Sequence, residues 1–585
     1  MAEEKEAPKK VSRREFVKGA AAVASVGALA SCAPAATPGP GETAAPAPTC
    51  PPAGECLPAA TPWLPEKWDK EVEILIIGSG AAGWAASVSA KDLGAELVIL
   101  EKAPEEFAGG NSSVAGNARA GQLNEDPEFV KACSFGTVVD DELISAYCAA
   151  VDACPAWIEG LGGKIFYSDP SPYPYKTLPG AENITTACYL QNPEGERGAG
   201  HDNWAFWKPL MEDRGIELMY ETPATELIQD PNTGEILGVK ALAGVTTTED
   251  YHYTGGEEIF VKAKKAVILA CGGYENDPHM LHNYAPHPHT AFVTFYGTPF
   301  NTGDGFRMVQ RVGAEIWHVM KKECHSHACA PASKELGAGL VVSCYGSQIA
   351  KGPGIYVNRD GKRFMNEFFY TGHGDQHRKY DEFEHKVQPD DDYDYADYRN
   401  TPMYWIFDDE RMKAGRFGST SRWLHVKGVY TWSEDNEAEL AKGWFIKADT
   451  IEELGNKIET KDFFGRVVGM DAAGLVETVN TYNQYCAAGE DLDFGRRPSS
   501  LLPLVTPPFY AMEVIDCQTN TMGGPVHNKL SQVIDVDGEP IPRLYAAGEF
   551  GSIWGLLYPS GRNVTEALAM GKIAAEHAVT LEPWD

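Results

Sequence analysis

The run Glu71-Val72-Glu73-Ile74-Leu75-Ile76-Ile77 ends in Gly78-Ser79-Gly80-Ala81-Ala82-Gly83, and a helical pattern continues to Leu93. Aliphatic residues this dense read as a buried strand, and the glycines as the turn out of it. Gly78 permits the tight turn, Gly80 lets the backbone approach a pyrophosphate, and Gly83 lets helix and strand pack closely. The first amides of the helix, around Ala82, have no partner within it and suit an anion. A second strand, Glu96 to Leu100, ends at Glu101, 18 residues past Gly83. A carboxylate there can accept hydrogen bonds from an adenosine ribose, with Lys102 beside it in the same site. Strand, turn, helix, strand and acid predict an α/β chain with a Rossmann-type dinucleotide site.

Further segments favour FAD over NAD. Gly109-Gly110-Asn111-Ser112-Ser113-Val114-Ala115-Gly116-Asn117 is small and polar, suited to a backbone pressed along a pyrophosphate and a flavin, with Gly110, Asn111, Ser112 and Gly116 as its contacts. Ala263 to Ala270 reads as another buried strand, closed by Cys271-Gly272-Gly273-Tyr274. Far along the chain, Ile541 to Glu549 is a strand meeting a turn at Gly548-Glu549, followed by a helix from Asn563 to Val579. Aimed at the flavin pyrimidine, the positive end of that helix, at Asn563 and Val564, would favour the reduced ring.

These pieces carry a resemblance. Residues 70 to 580 are similar to the FAD-dependent oxidoreductases that include fumarate reductase flavoproteins, urocanate reductase and 3-ketosteroid Δ1-dehydrogenase. The matching motifs are Gly78 to Gly83, Gly109 to Ser113, Gly272-Gly273, Thr302-Gly303-Asp304-Gly305, Gly361 to Glu367, Thr521-Met522-Gly523-Gly524 and Pro540 to Glu549. The resemblance implies a Rossmann-type FAD-binding domain in two parts, 71–290 and 501–585, with an α+β capping domain, 291–500, inserted between them. It adds Asp304 to the cofactor site. No histidine stands near Gly109 where covalent members attach the ring, so a non-covalent FAD is expected.

Reduction of an activated alkene needs a hydride at one carbon, a proton at its neighbour and groups that polarise the attached carbonyl. The sequence departs from the fumarate reductase branch: Asn520 stands where those enzymes carry histidine, and no arginine follows Asn366-Glu367 at the proton-donor position. Tyr558-Pro559 resembles the ketosteroid branch, in which the tyrosine helps hold the substrate carbonyl, so Tyr558 is the first catalytic candidate. Tyr370, after Asn366-Glu367, is the second. Arg562 replaces a glycine of that branch; beside flavin or substrate it would favour an anionic ligand, and the alternative is a salt bridge elsewhere. His373 and His377 could shuttle protons.

The remainder sets the context. A formal charge of −33 excludes nucleic acid as a partner. Ser12-Arg13-Arg14-Glu15-Phe16-Val17-Lys18 precedes an apolar run from Gly19 to Ala30, which resembles a twin-arginine signal, and Leu29-Ala30-Ser31-Cys32 resembles a lipobox. Residues 1–32 are therefore expected to be an export segment ending in a lipid anchor at Cys32. Residues 33–70 form a tether, with ten prolines between 33 and 65. Thirteen cysteines in an exported chain invite disulfides, Cys50 with Cys56 for one. Cys324-His325-Ser326-His327-Ala328-Cys329 lacks the usual zinc spacing, and no metal is expected. No Cys-x-x-Cys-His haem motif occurs, so electrons must come from a separate quinol-linked, cytochrome or flavin carrier. The expected activity is hydride transfer between FAD and an enone or enoate, as a reductase on the outer side of the cytoplasmic membrane or in the periplasm. The alternatives are a 3-ketosteroid Δ1-dehydrogenase and a non-catalytic flavin relay or ligand-binding lipoprotein.

Overall fold

Lys70–Ile77 forms the first strand, and Ile74, Leu75 and Ile76 are fully buried whichever way they point, as in a parallel sheet covered on both faces. Leu97–Leu100 lies parallel on one side of it and Glu257–Leu269 on the other, with Glu217–Met219 and Pro540–Ala546 continuing the sheet outward in parallel. Gln532–Ile534 adds an antiparallel edge, and a hairpin of Ala224–Gln229 and Ile236–Ala243 pairs with the first half of Glu257–Leu269. The structure, a computed structural model, describes residues 64–134, 139–169, 175, 177–285, 293–319, 322–344, 348–367, 383–387, 393–398, 400, 402–420, 422–461, 466–555, 557 and 561–584.

Register positions the site. Ile77 pairs with Leu100 and Leu269, and Leu269 with Ala546, so the strands end together and the chain leaves one carboxyl edge at Gly78, Glu101, Ala270 and Ala547. Open α/β sheets bind ligands at such an edge. Two helices start there, Ala81–Asp92 and Arg562–Ala578. They run in near contact: a Cβ added at Gly571 would lie 2.4 Å from the carbonyl oxygen of Ala82. The second agrees with the helix expected at Asn563–Val579 to within one residue at each end and the first ends one residue before the expected Leu93, whereas Glu257–Leu269 starts six residues before the strand expected at Ala263.

A second sheet is built around Phe509–Thr521, which pairs antiparallel with Lys322–Cys329, Met403–Asp408 and Ile446–Ala448 and parallel with Val293–Phe295. Val341–Cys344 and Gly354–Val357 flank it, and Trp405, Phe407, Phe417 and Phe445 pack ring on ring beneath it. Phe509–Thr521 follows residue 501, where the chain was expected to have returned to the first sheet; the return is made by Gln532–Ile534 and Pro540–Ala546. A small sheet of Arg119–Leu123, Thr186–Leu190 and Ile165–Ser168 completes the frame. Eight described cysteines, at 133, 148, 154, 188, 271, 329, 486 and 517, are free thiols. Burial pushes several of them up, Cys133 and Cys154 to about 12, so they remain protonated and unreactive. Cys50 and Cys56 lie outside the described residues.

Candidate active site

The carboxyl edge of the first sheet opens into a cavity of about 500 Å³ whose far wall comes from the second sheet. Among the residues singled out in the sequence, Gly78, Gly80, Ala82, Glu101, Lys102, Gly110, Asn111, Ser112, Gly116, Gly272, Asp304, Gly548, Glu549, Asn563 and Val564 line it. They come from stretches hundreds of positions apart. Gly83 and Gly273 do not line it. A Cβ on Gly83 would lie 2.1 Å from the Gly78 carbonyl oxygen, so this glycine serves the packing of helix on turn. A Cβ on Gly273 would lie 2.1 Å from Thr521 Oγ1 and 2.3 Å from Glu549 Oε1.

The glycine turn has the form its spacing implies. Gly78 takes φ +102°, a region closed to most side chains, and a Cβ there would meet the Ala270 carbonyl oxygen at 2.4 Å. Gly80 differs: nothing but Ser112 Oγ, at 3.9 Å, stands near its missing Cβ, so its bare backbone faces open cavity. Glu101 Oε2 accepts from the amide and hydroxyl of Ser79 at 2.9 and 2.6 Å, and its Oε1 from the Ala103 amide at 2.8 Å. The carboxylate is thus fixed against the turn while still lining the cavity. Lys102 Nζ donates to Asp304 Oδ2 at 2.6 Å, joining two expected cofactor contacts in one ion pair.

Two tests on the chain's own atoms show that a flavin dinucleotide fits. The helices Ala81–Asp92 and Arg562–Ala578 begin at Gly80 and Gly561, neither with a side-chain cap, so their positive ends are presented to the cavity that Ala81, Ala82, Asn563 and Val564 line. The amide of Asn563 is buried with neither Oδ1 nor Nδ2 hydrogen-bonded, a cost a ligand would relieve. Asn520 Oδ1, on the far wall, is buried and unpaired in the same way.

At the cavity edge Glu549 meets a buried acid, Glu275, that the sequence did not reveal. Asn111 Nδ2 donates to Glu275 Oε1 at 2.8 Å and reaches Glu549 Oε2 at 3.5 Å; Asn301 Nδ2 donates to Glu275 Oε1 at 3.1 Å. Burial, first of all, raises both carboxyls, and for Glu549 the Glu275 charge adds to it. Glu549 was expected only as a cofactor contact; Glu275 has no motif to announce it.

Three guanidinium groups also line the cavity, those of Arg119, Arg197 and Arg422. Arg119 donates to Tyr189 Oη at 3.1 Å, and both Arg119 and Arg197 lie 5.2 Å from the centre of the Tyr189 ring. Their spacing in the sequence carries no signal, because they meet only through the small sheet and the second sheet.

Of the expected catalytic residues, Tyr370, Tyr558, His373 and His377 lie outside the described residues. Arg562 is placed, and it corrects the expectation of a cation beside the ligand. Its side chain is fully buried and absent from the cavity wall; Nε donates to Glu125 Oε1 and Oε2 at 3.0 and 2.9 Å, with the guanidinium 5.1 Å from the Phe129 ring centre. The helix turns residue 562 away from the cavity while it turns 563 and 564 towards it.

Comparison with known proteins agrees with this geometry. The family model of the FAD binding domain matches residues 73–563. Urocanate reductase of Eggerthella lenta is 26% identical over 537 residues, covering 89% of this chain and 77% of that one. Digoxin reductase of the same organism is 25% identical over 561 residues, covering 88% and 89%. Among solved structures, 3-ketosteroid delta1-dehydrogenase from Sterolibacterium denitrificans, crystallised with 1,4-androstadiene-3,17-dione, superposes with a TM-score of 0.66 at 22% identity, over 87% of this chain and 99% of that one.

Proposed function

The chain belongs to the FAD binding domain family, and from that premise we propose that it is an oxidoreductase that adds hydrogen across an activated carbon–carbon double bond. The observation that carries this is the meeting, in one cavity, of a flavin-fitting cradle and a polar far wall of Asn520, Tyr296 and Arg422. FAD, when bound, supplies the electron pair and the hydrogen for one carbon of the alkene. The chain's residues do the rest. Gly80 and the helix amides hold the pyrophosphate, Glu101 the ribose, and Asn563 with the helix behind it the pyrimidine edge, without a covalent bond. The far wall orients the alkene and polarises its acceptor group, and a phenol, Tyr558 or Tyr370, delivers the proton to the second carbon. The named reductases among its relatives support the reductive direction.

Electrons come from a separate carrier, for which a quinol-linked or cytochrome donor suits an exported protein. Twin-arginine export and a lipid anchor at Cys32 rest on the leader sequence. Membrane fractionation of wild type against Cys32→Ala, which should become soluble, tests the anchor; equal membrane retention would remove it. The decisive assay for the activity is anaerobic reoxidation of the reduced protein by a panel of enoates, enones and steroid enones. Reoxidation by at least one alkene, with product saturated at that bond, is expected. Protein that holds FAD but is reoxidised by none would be a relay or a binding protein, and activity confined to oxidation of a 3-ketosteroid would reverse the direction.

A further inference from the structure

We propose that Arg422 anchors the substrate by its carboxylate, which makes enoates, rather than neutral enones, the substrate class of this cavity; the inference rests on the alkene-reducing reading above. Arg422 is only 9% exposed, yet it lines the cavity. Its guanidinium carbon lies 4.5 Å from the centre of the Tyr296 ring, stacked as a planar cation on an aromatic face. On its other side is the flavin-facing turn: a Cβ added at Gly116 would lie 2.5 Å from Arg422 Nη1, so only glycine leaves room for the group to enter there.

The placement is fixed from three directions. Trp423 N donates to the Tyr296 carbonyl at 3.2 Å, the Trp423 ring packs 5.3 Å from Phe107, and Lys427 Nζ donates to the Ala108 carbonyl at 2.8 Å. A segment that follows the strand Met403–Asp408 of the second sheet is thereby clamped onto the turn of the first that begins at Phe107. A carboxylate presents two oxygens in the plane that a guanidinium matches with paired donors, which a ketone oxygen does not.

The test compares alkenes in acid and methyl-ester pairs, such as cinnamate and methyl cinnamate, with FAD-loaded wild type, Arg422→Gln and Arg422→Lys. FAD content is measured for each protein, and the affinity of the corresponding saturated acids is read from the flavin absorbance. Wild type should prefer acid over ester by about tenfold or more in kcat/KM, the scale of one charge-assisted hydrogen bond. Arg422→Gln should lose that preference and the acid-induced spectral shift, with FAD content within about a factor of two of wild type; the lysine variant should keep part of both. An unchanged acid preference in Arg422→Gln overturns the proposal, as does a wild type that reduces only esters and ketones, which leaves the alkene reductase intact. Loss of FAD from both variants overturns it too, by assigning the cation to the cofactor. A wild type reoxidised by no alkene, acid or ester, overturns both readings.

Discussion

The buried Glu275 faces Glu549, which lines the cofactor cavity, and the two are bridged by Asn111, whose Nδ2 lies 2.8 Å from one and 3.5 Å from the other. Two carboxylates this close in a medium of low polarity cannot both be charged, and the pair holds a proton. Burial raises Glu275 above its ordinary value of 4.5 and Glu549 well above it. In the unfolded chain both ionise near that value. Folding therefore retains a proton that unfolding releases, so this part of the stability is fully present below pH 4.5 and is lost as pH rises through the raised values. Glu275→Gln removes the repulsion and preserves the shape. It is expected to be more stable than wild type at pH 8, with a smaller loss between pH 5 and pH 8, in urea melts of the FAD-loaded protein. Parallel pH profiles for the two proteins would show that the pair does not share a proton.

Gly80 and Gly83 separate cofactor binding from folding. A methyl at Gly80 enters open cavity at the proposed pyrophosphate site, whereas one at Gly83 meets the Gly78 carbonyl at 2.1 Å. Gly80→Ala should leave the melting temperature of the apo protein within about 2 °C of wild type while weakening FAD binding by about tenfold or more, judged by flavin retention on dialysis. Gly83→Ala should lower the apo melting temperature itself, by an overpacking cost of about 1–3 kcal/mol. Equal effects of the two substitutions on apo stability would contradict this division.

The same contrast shows what the sequence could say. The positions of Gly78, Gly80, Gly83, Glu101 and Asn563 were legible because each is set by a local strand, turn or helix end, and local structure is written in consecutive residues. Arg422, Arg119 and Glu275 were not. Each reaches the cavity through a sheet register or a clamp between distant segments, as when Trp423 packs on Phe107. Arg562 was misread for a related reason. Its partner, Glu125, is 437 positions away, and residue spacing alone does not say which side of the helix meets the cavity. The second sheet was expected as a cap, but its central strand, Phe509–Thr521, comes from beyond the expected boundary, because a strand buried along almost its whole length does not state which sheet buries it.

The ion pair of Arg562 with Glu125 is a structural tie. Both side chains are fully enclosed, so removing one leaves a buried charge without its counterion. Arg562→Met should lower stability by about 3–5 kcal/mol, and Glu125→Gln by a similar amount. The double variant should recover part of the loss, since the two substitutions are coupled. Turnover per bound flavin should stay within about threefold of wild type, because Arg562 does not line the cavity. A tenfold loss of turnover with unchanged stability would return Arg562 to the active site.

Glu566 is a single buried acid that titrates within a defined window. It is wholly buried on the inner face of the C-terminal helix, accepting from Ser552 Oγ at 2.9 Å and the Ile553 amide at 2.8 Å, and burial pushes its carboxyl from 4.5 up to about 8. The folded protein keeps this proton at neutral pH and the unfolded chain does not. Its contribution is complete below pH 4.5 and falls through the interval to about pH 8, by up to about 1.4 kcal/mol for each pH unit within it. Glu566→Gln keeps an acceptor for the loop at 552–553 and cannot ionise, so its unfolding midpoint should fall less steeply than wild type between pH 5 and pH 8. Glu566→Ala leaves the Ile553 amide without its partner and should cost about 1–3 kcal/mol at pH 5, where the acid is neutral in the folded protein. If urea midpoints of wild type and Glu566→Gln run parallel across that range, Glu566 is ionised in the folded protein and a cation or water must lie beside it.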